Sequence, residues 1–67
     1  MKIAENIKMY RKSLGLTQEE IARFLGGKKI LISNYENGYS CPDINNLIKL
    51  ADIFKVSLDE LIGRKFD

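Results

Sequence analysis

The chain has no histidine, no tryptophan, one cysteine and one proline among its 67 residues. Each shortage removes a class of function. Without histidine, the side chain that titrates near neutral pH is missing, and with it the commonest general acid–base group. A lone Cys41 cannot close an internal disulfide, so no staple compensates for the small size. It also has no histidine or second thiol beside it to complete a metal-ligand set. Its plain reading is a loop or semi-buried thiol that behaves as a small hydrophobe. Neither a metal nor a cofactor is expected.

Long hydrophobic runs are missing as well. No apolar stretch approaches the roughly 20 residues needed to span a bilayer. The first segment carries Glu5, Lys8, Arg11 and Lys12, which does not read as a signal peptide. A soluble, reduced, cytoplasmic protein without membrane contact is expected.

Catalytic constellations are equally scarce. Ser13, Ser33, Ser40 and Ser57 stand in no motif that supplies a base. Glu19 and Glu20 are adjacent on a helix and diverge by about 100°, so they do not form a working pair. They suit a helix's first turn, where acidic groups complement the dipole. The stretch "GGKK" at 26–29 suggests a phosphate loop, but that loop needs G-x-x-x-x-G-K-[ST] after a strand. Here the first glycine position is Ala22, Lys28 is followed by Lys29, and no strand precedes. No enzyme is expected.

What remains is a globular composition, 45% apolar and 30% charged. That length and mixture fit one small domain, residues 1–67. The net charge of +2 is unevenly placed: residues 1–40 hold seven Lys/Arg against four Asp/Glu, and residues 41–67 hold four against five. A basic front half hints at an anionic partner on one face.

Periodicity divides the chain into about five short helices, 2–14, 17–25, 28–36, 43–54 and 57–63. Ile3, Ile7, Tyr10 and Leu14 form one helical face, and Gly15 ends it. Thr17-x-x-Glu20 and Ser57-x-x-Glu60 are capping boxes that open the second and fifth helices. Gly26 stops the second helix, and Asn37-Gly38 breaks the third. Cys41-Pro42 reads as extended chain, and Asp43 as the N-cap of the fourth helix. The expected core is Ile7, Leu14, Ile21, Ala22, Leu25, Ile32, Tyr35, Leu47, Leu50, Ala51, Phe54 and Leu61.

The second and third helices carry the functional argument. A small Ala22 allows close approach, Gly26 permits a sharp turn, and Ile32 and Tyr35 anchor the following helix. Lys28, Lys29, Ile30, Ser33, Asn34 and Asn37 are left on the outward side. That set suits phosphates and base edges in a DNA groove, which is the logic of the helix-turn-helix. Each of these residues also has a plainer reading as ordinary surface, and Ile30 and Leu31 as extra core. Ile30 is assigned to the groove, against thymine methyls, and Leu31 to partly buried filler. Phe24 lies beside the core stripe, as a partner contact or a wide core edge.

"GLTQEEIARFLG", then "ISNYENG", then "LIKLADIFKVSLDELI" resembles the phage Cro/repressor (XRE-type) helix-turn-helix family over about residues 3–63. The resemblance implies an all-α, compact five-helix bundle of the lambda-repressor-like kind. Family members bind operator DNA, mostly as homodimers, and regulate transcription. By the resemblance, Gln18 meets the DNA backbone and a neighbouring base, while Lys28, Lys29, Ile30, Ser33 and Asn34 face the major groove. Asn37, Tyr39 and Ser40 match the loop that rests on phosphates. Arg11 and Glu36 match a partly buried ion pair, which the position of Glu36 at a helix C-terminus supports independently.

Two departures stand out. The family usually has Val or Ile where this chain has Gly27, and Ser or Thr where it has Lys28. The third helix therefore loses an apolar anchor and a side-chain cap, with Gly27 as the replacement cap. The third helix is accordingly expected to be the most mobile. Lys55 stands where Gly or Asn is common at a helix end.

The expectation is a regulator of the repressor type that places helix 28–36 in the major groove of a palindromic operator as a homodimer. Ile44, Leu58, Ile62 and Phe66 are the candidate dimer surface. No segment after the fifth helix would hold an effector, so control is expected from expression level, a partner protein or dimerisation. The alternative is a protein-binding adaptor or antitoxin-type module on the same fold.

Overall fold

The computed structural model describes residues 2–63 and contains five helices: α1 (Ile3–Ser13), α2 (Gln18–Leu25), α3 (Lys29–Glu36), α4 (Ile44–Phe54) and α5 (Leu58–Ile62). Their starts follow from local chemistry. The Thr17 hydroxyl accepts from the Glu20 N–H at 3.0 Å, and the Glu20 carboxylate accepts from the Thr17 N–H at 3.0 Å. Ser57 and Glu60 repeat this reciprocal pair at α5. At α4 the Asp43 carboxylate accepts from the Asn46 N–H at 2.9 Å. Each cap satisfies orphan amide donors at a helix start.

Four helix ends share one hydrogen-bond pattern. After α2, the Gly26 N–H donates to Arg23 O and the Gly27 N–H to Ala22 O. The same paired bonds close α1 around Gly15, α3 around Gly38 and α4 around Lys55. This Schellman pattern requires a left-handed residue at its pivot, where glycine has no Cβ penalty. Lys55 takes that conformation without being glycine, at φ 57°.

Each helix supplies one aliphatic side chain with no residual exposure: Ile7, Ile21, Ile32, Leu50 and Leu61. Burying such a side chain stabilises by about 2 kcal/mol. Ala22, Leu25, Tyr35, Ala51 and Phe54 complete the buried cluster. The Tyr10 and Phe54 rings pack at 5.7 Å between centroids. Tyr35 is not left with an unpaired hydroxyl, since its oxygen accepts from Asn46 Nδ2 at 3.0 Å. Helix α5 is tied to α1 through the Lys2 N–H to Ile62 O, 2.9 Å, and Asn6 Nδ2 to Leu61 O, 3.0 Å. Helix α3 packs chiefly on α2 and α1, so its position is set from the side opposite its exposed face.

Three sequence expectations change. Leu14 is 51% exposed rather than buried, although it keeps helical backbone angles as the C-cap of α1 and its N–H donates to Tyr10 O. Leu16, beyond the turn, packs on the core instead. Leu47 is half-buried at the core's edge. The N-cap of α3 is Lys28, not Gly27, and its side chain makes no capping bond. A Cβ built on Gly27 would lie 2.8 Å from Leu31 Cδ2, the movable end of a half-buried side chain. Leu31 thus occupies the space that a side chain at 27 would need, and supplies apolar anchoring from within the helix.

Among the described residues, no helix is long and apolar enough to cross a membrane. No group of His, Cys, Asp and Glu among them has metal-binding geometry.

Candidate nucleic-acid interface

Burial of Ile32 and Tyr35 orients α3. Residues on the opposite side of that helix are then presented outward. Ile30 is 62% exposed, Lys28, Lys29 and Asn37 are exposed, and Ser33 and Asn34 are half-buried. Ile30 thus places an exposed aliphatic side chain among basic and amide-bearing neighbours. Asn37 Nδ2 donates to Ser33 Oγ at 3.3 Å, which joins two side chains of this face one turn apart. Neither lysine has a carboxylate partner, since the one ion pair among the described residues is Arg11–Glu36.

That pair fixes the relation of α3 to the helices behind it. Arg11 Nε donates to Glu36 Oε2 at 2.6 Å and Arg11 Nη2 to Glu36 Oε1 at 3.0 Å. Arg11 Nη1 also donates to Leu16 O at 2.9 Å. The two parallel bonds form the fork geometry that makes arginine–carboxylate pairs specific. Burial alone would raise the Glu36 carboxyl above its ordinary value. Hydrogen bonds from Arg11 and Gln18, with the charges of Arg11 and Lys8, outweigh it and hold the carboxyl below that value. The same hydrogen bond raises the Arg11 guanidinium, against its own desolvation.

Gln18 is half-buried, and its Nε2 donates to Glu36 Oε1 at 3.1 Å. It opens α2 and lines an open notch of about 370 Å³ with Arg11, Leu16, Thr17, Glu19 and Lys29. The notch therefore gathers the starts of α2 and α3 beside two cations. Past α3, Tyr39 is 80% exposed and Ser40 is exposed. The Tyr39 and Ser40 N–H groups both point to Asn34 O, at 2.9 and 3.4 Å. What this loop offers outward is the two side chains rather than those amides.

The structure thus brings Gln18, Lys28, Lys29, Ile30, Ser33 and Asn34 into two adjoining elements, with Asn37, Tyr39 and Ser40 immediately after. Sequence reasoning misses the Gln18–Glu36 bond, because nothing local marks a contact between residues 18 apart in sequence. It also passes over Ile48, which is 44% exposed four residues after the 60% exposed Ile44; the i, i+4 spacing carries that signal. Leu58 and Ile62 are half-buried, and Phe66 lies outside the described residues.

An all-helical domain with α2 and α3 joined by the Gly26 turn and α3 facing outward is a helix-turn-helix. Residues 7–61 match the helix-turn-helix family of the Cro/repressor type, and the chain belongs to that family. It is 39% identical over 64 residues to the cryptic phage CTXphi transcriptional repressor RstR of Vibrio cholerae. That alignment covers 96% of this chain and 57% of RstR. It is 38% identical over 64 residues to the HTH-type transcriptional regulator ImmR of Bacillus subtilis, covering 96% of this chain and 50% of ImmR. The chain therefore spans about half the length of these curated relatives. The fold superposes on the P22 c2 repressor, solved in complex with a synthetic operator, with a TM-score of 0.84. There the identity is 28%, over 91% of this chain and 92% of that one.

Proposed function

We propose that this chain binds double-stranded DNA in a sequence-specific way and regulates transcription, as a repressor, with α3 in the major groove. The observation that carries the reading is the outward face of α3. It combines a 62% exposed Ile30 with Lys28 and Lys29, which have no carboxylate partner among the described residues, and with the polar side chains of Ser33, Asn34 and Asn37. Lysines neutralise phosphates, polar side chains meet base edges, and an exposed aliphatic matches the thymine methyl. Gln18 meets the backbone and a neighbouring base, and the Tyr39–Ser40 loop flanks that helix on the backbone side. Membership of a family with named repressors supports the regulatory direction.

The operator is a palindrome read by a homodimer whose two α3 helices lie about 34 Å apart. Ile44, extended by Ile48 on the same helix, supplies the dimer surface together with the half-buried Leu58 and Ile62 of α5. The exposure of the two isoleucines supports this assignment. Selection from random duplexes is the test, followed by titration of the enriched sequence. An enriched palindrome, bound with steep salt dependence, is expected; no enrichment at low salt would exclude the reading.

Exposed Phe24, Ile44 and Ile48 favour a second reading, a protein-binding adaptor or antitoxin-type module. It requires an apolar, polar-rimmed contact and only weak, salt-insensitive affinity for duplexes.

A further inference from the structure

Glu36 does more than hold Arg11. Its carboxylate accepts three hydrogen bonds, two from Arg11 and one from Gln18 Nε2. Its side chain is 3% exposed and carries a lowered pKa, so it stays ionised near neutral pH. An ionised carboxylate can only accept. The Gln18 amide must therefore turn its NH2 toward Glu36, and a flipped amide would set two oxygens against each other. Among the described residues this is the single hydrogen bond of the Gln18 side chain, so Oε1 has no protein donor. Gln18 lies in the notch beside Lys29, the first residue of α3.

We infer that Glu36 is a positioning residue that fixes Gln18 as a hydrogen-bond acceptor toward DNA, so that Gln18 reads a base amino group. The inference rests on the DNA-binding reading above. Phosphate oxygens carry no proton at neutral pH and offer nothing to a carbonyl oxygen. In the major groove the donors are adenine N6 and cytosine N4. The remaining N–H of Gln18 is still free to donate, which makes adenine, with N7 beside N6, the better partner of the two. Arg11 enters indirectly: its two bonds hold the Glu36 carboxylate that accepts from the amide. A residue that reads as a fold-stabilising carboxylate thus acts on specificity through a side chain on another helix.

The test uses the duplex enriched by selection. Each adenine or cytosine of a half-site is replaced by its analogue without the exocyclic amino group, 2′-deoxynebularine for adenine and the 2-pyrimidinone deoxynucleoside for cytosine. Affinities are measured for the wild type, Gln18→Ala and Glu36→Gln. The difference between proteins cancels the change in base pairing within the duplex. In the wild type, one position is expected to lose about fivefold or more on losing the amino group. That excess penalty disappears in Gln18→Ala. It shrinks in Glu36→Gln, because a neutral amide at 36 can donate to Gln18 Oε1 and release it. If Gln18→Ala leaves every penalty unchanged, Gln18 does not read an amino group and the proposal falls, while the groove reading survives. If Glu36→Gln keeps the full penalty, the positioning role falls. Failure to enrich any duplex instead removes the DNA reading itself.

A measurement on the free wild type decides the matter should Glu36→Gln not fold. One Gln18 side-chain amide proton should exchange with solvent more slowly than those of exposed Asn45. Equal exchange for the two residues overturns the inference.

Discussion

A Cβ placed on Gly27 would come within 2.8 Å of Leu31 Cδ2, so the two positions compete for one volume. The chain has chosen the glycine at 27 and the leucine at 31. The anchoring of α3 is thereby moved from the residue before the helix into its first turn. A double-mutant cycle exposes the exchange. Gly27→Val alone pushes the end of the half-buried Leu31 side chain aside and should cost about 1 kcal/mol or less, below the range for a well-packed core. Leu31→Ala alone removes a half-buried side chain and should cost about 1–2 kcal/mol, less than the range for fully buried leucines. Together they should cost less than the sum by about 0.5 kcal/mol, measured by urea unfolding. Strict additivity would show that Leu31 does not fill that space.

Stability should fall in acid through Glu36. Its folded-state pKa lies below its ordinary value, so the unfolded chain takes up the proton first as pH drops. The stabilisation is complete above the unfolded carboxylate pKa of about 4.3. It fades as pH falls from there through the folded value. Glu20, lowered by hydrogen bonds at the Thr17 cap, contributes with the same sign. Thermal unfolding from pH 7 to pH 2 should show the midpoint dropping in that window. The drop should flatten more in Glu36→Gln than in Glu20→Gln, because Glu36 is buried and bound three times. A larger flattening in Glu20→Gln would contradict the assignment.

Lys55 pivots the end of α4 at φ 57° and ψ 44°, in the role that glycines fill after α1, α2 and α3. A side chain in that conformation costs roughly 1–2 kcal/mol where glycine costs little. Part of the gain is lost to the greater freedom of glycine in the unfolded chain. Lys55→Gly should therefore raise stability by about 0.5–1 kcal/mol. The side chain is exposed, so no packing is sacrificed. Calorimetric midpoints of the two proteins, compared at one pH, check this; a lower midpoint for the glycine variant would show that Lys55 makes a contact beyond its backbone.

Much of the helical framework is legible in the sequence because its punctuation is chemical and local. Thr17 with Glu20, Ser57 with Glu60, and Asp43 each place a helix start within one residue of the observed one. Gly26 marks its turn because few other residues tolerate that backbone. Leu14 escapes, since helical spacing says which side of α1 a residue faces and not whether anything covers it there. The cap of α3 escapes for another reason: Lys28 caps by backbone conformation alone, which leaves no side-chain signature. At the candidate interface, residue types and helical spacing suffice to name the outward face of α3. The Gln18–Glu36 bond joins two helices, so it becomes visible only when the chain is folded. Ile48 illustrates the remaining gap, because a wide apolar face does not say which of its edges the rest of the bundle will cover.

Lys28 places stability and DNA affinity in opposition. As N-cap of α3 it supplies no side-chain acceptor, while α2, α4 and α5 all have one. Its charge, with that of Lys29, also opposes the positive end of the helix dipole. Lys28→Ser would supply the missing hydroxyl and remove one opposing charge. Stability of the free protein should rise by about 1 kcal/mol, with slower amide exchange in the first turn of α3. If Lys28 meets a phosphate, the same change removes one counterion-release contact. The slope of log K against log salt should then become shallower by about 0.9, and affinity should fall across sequences without a change in preference. Increased stability with an unchanged salt slope would leave Lys28 as a poor cap with no compensating role at the DNA. A changed base preference would move it from the backbone to the groove floor.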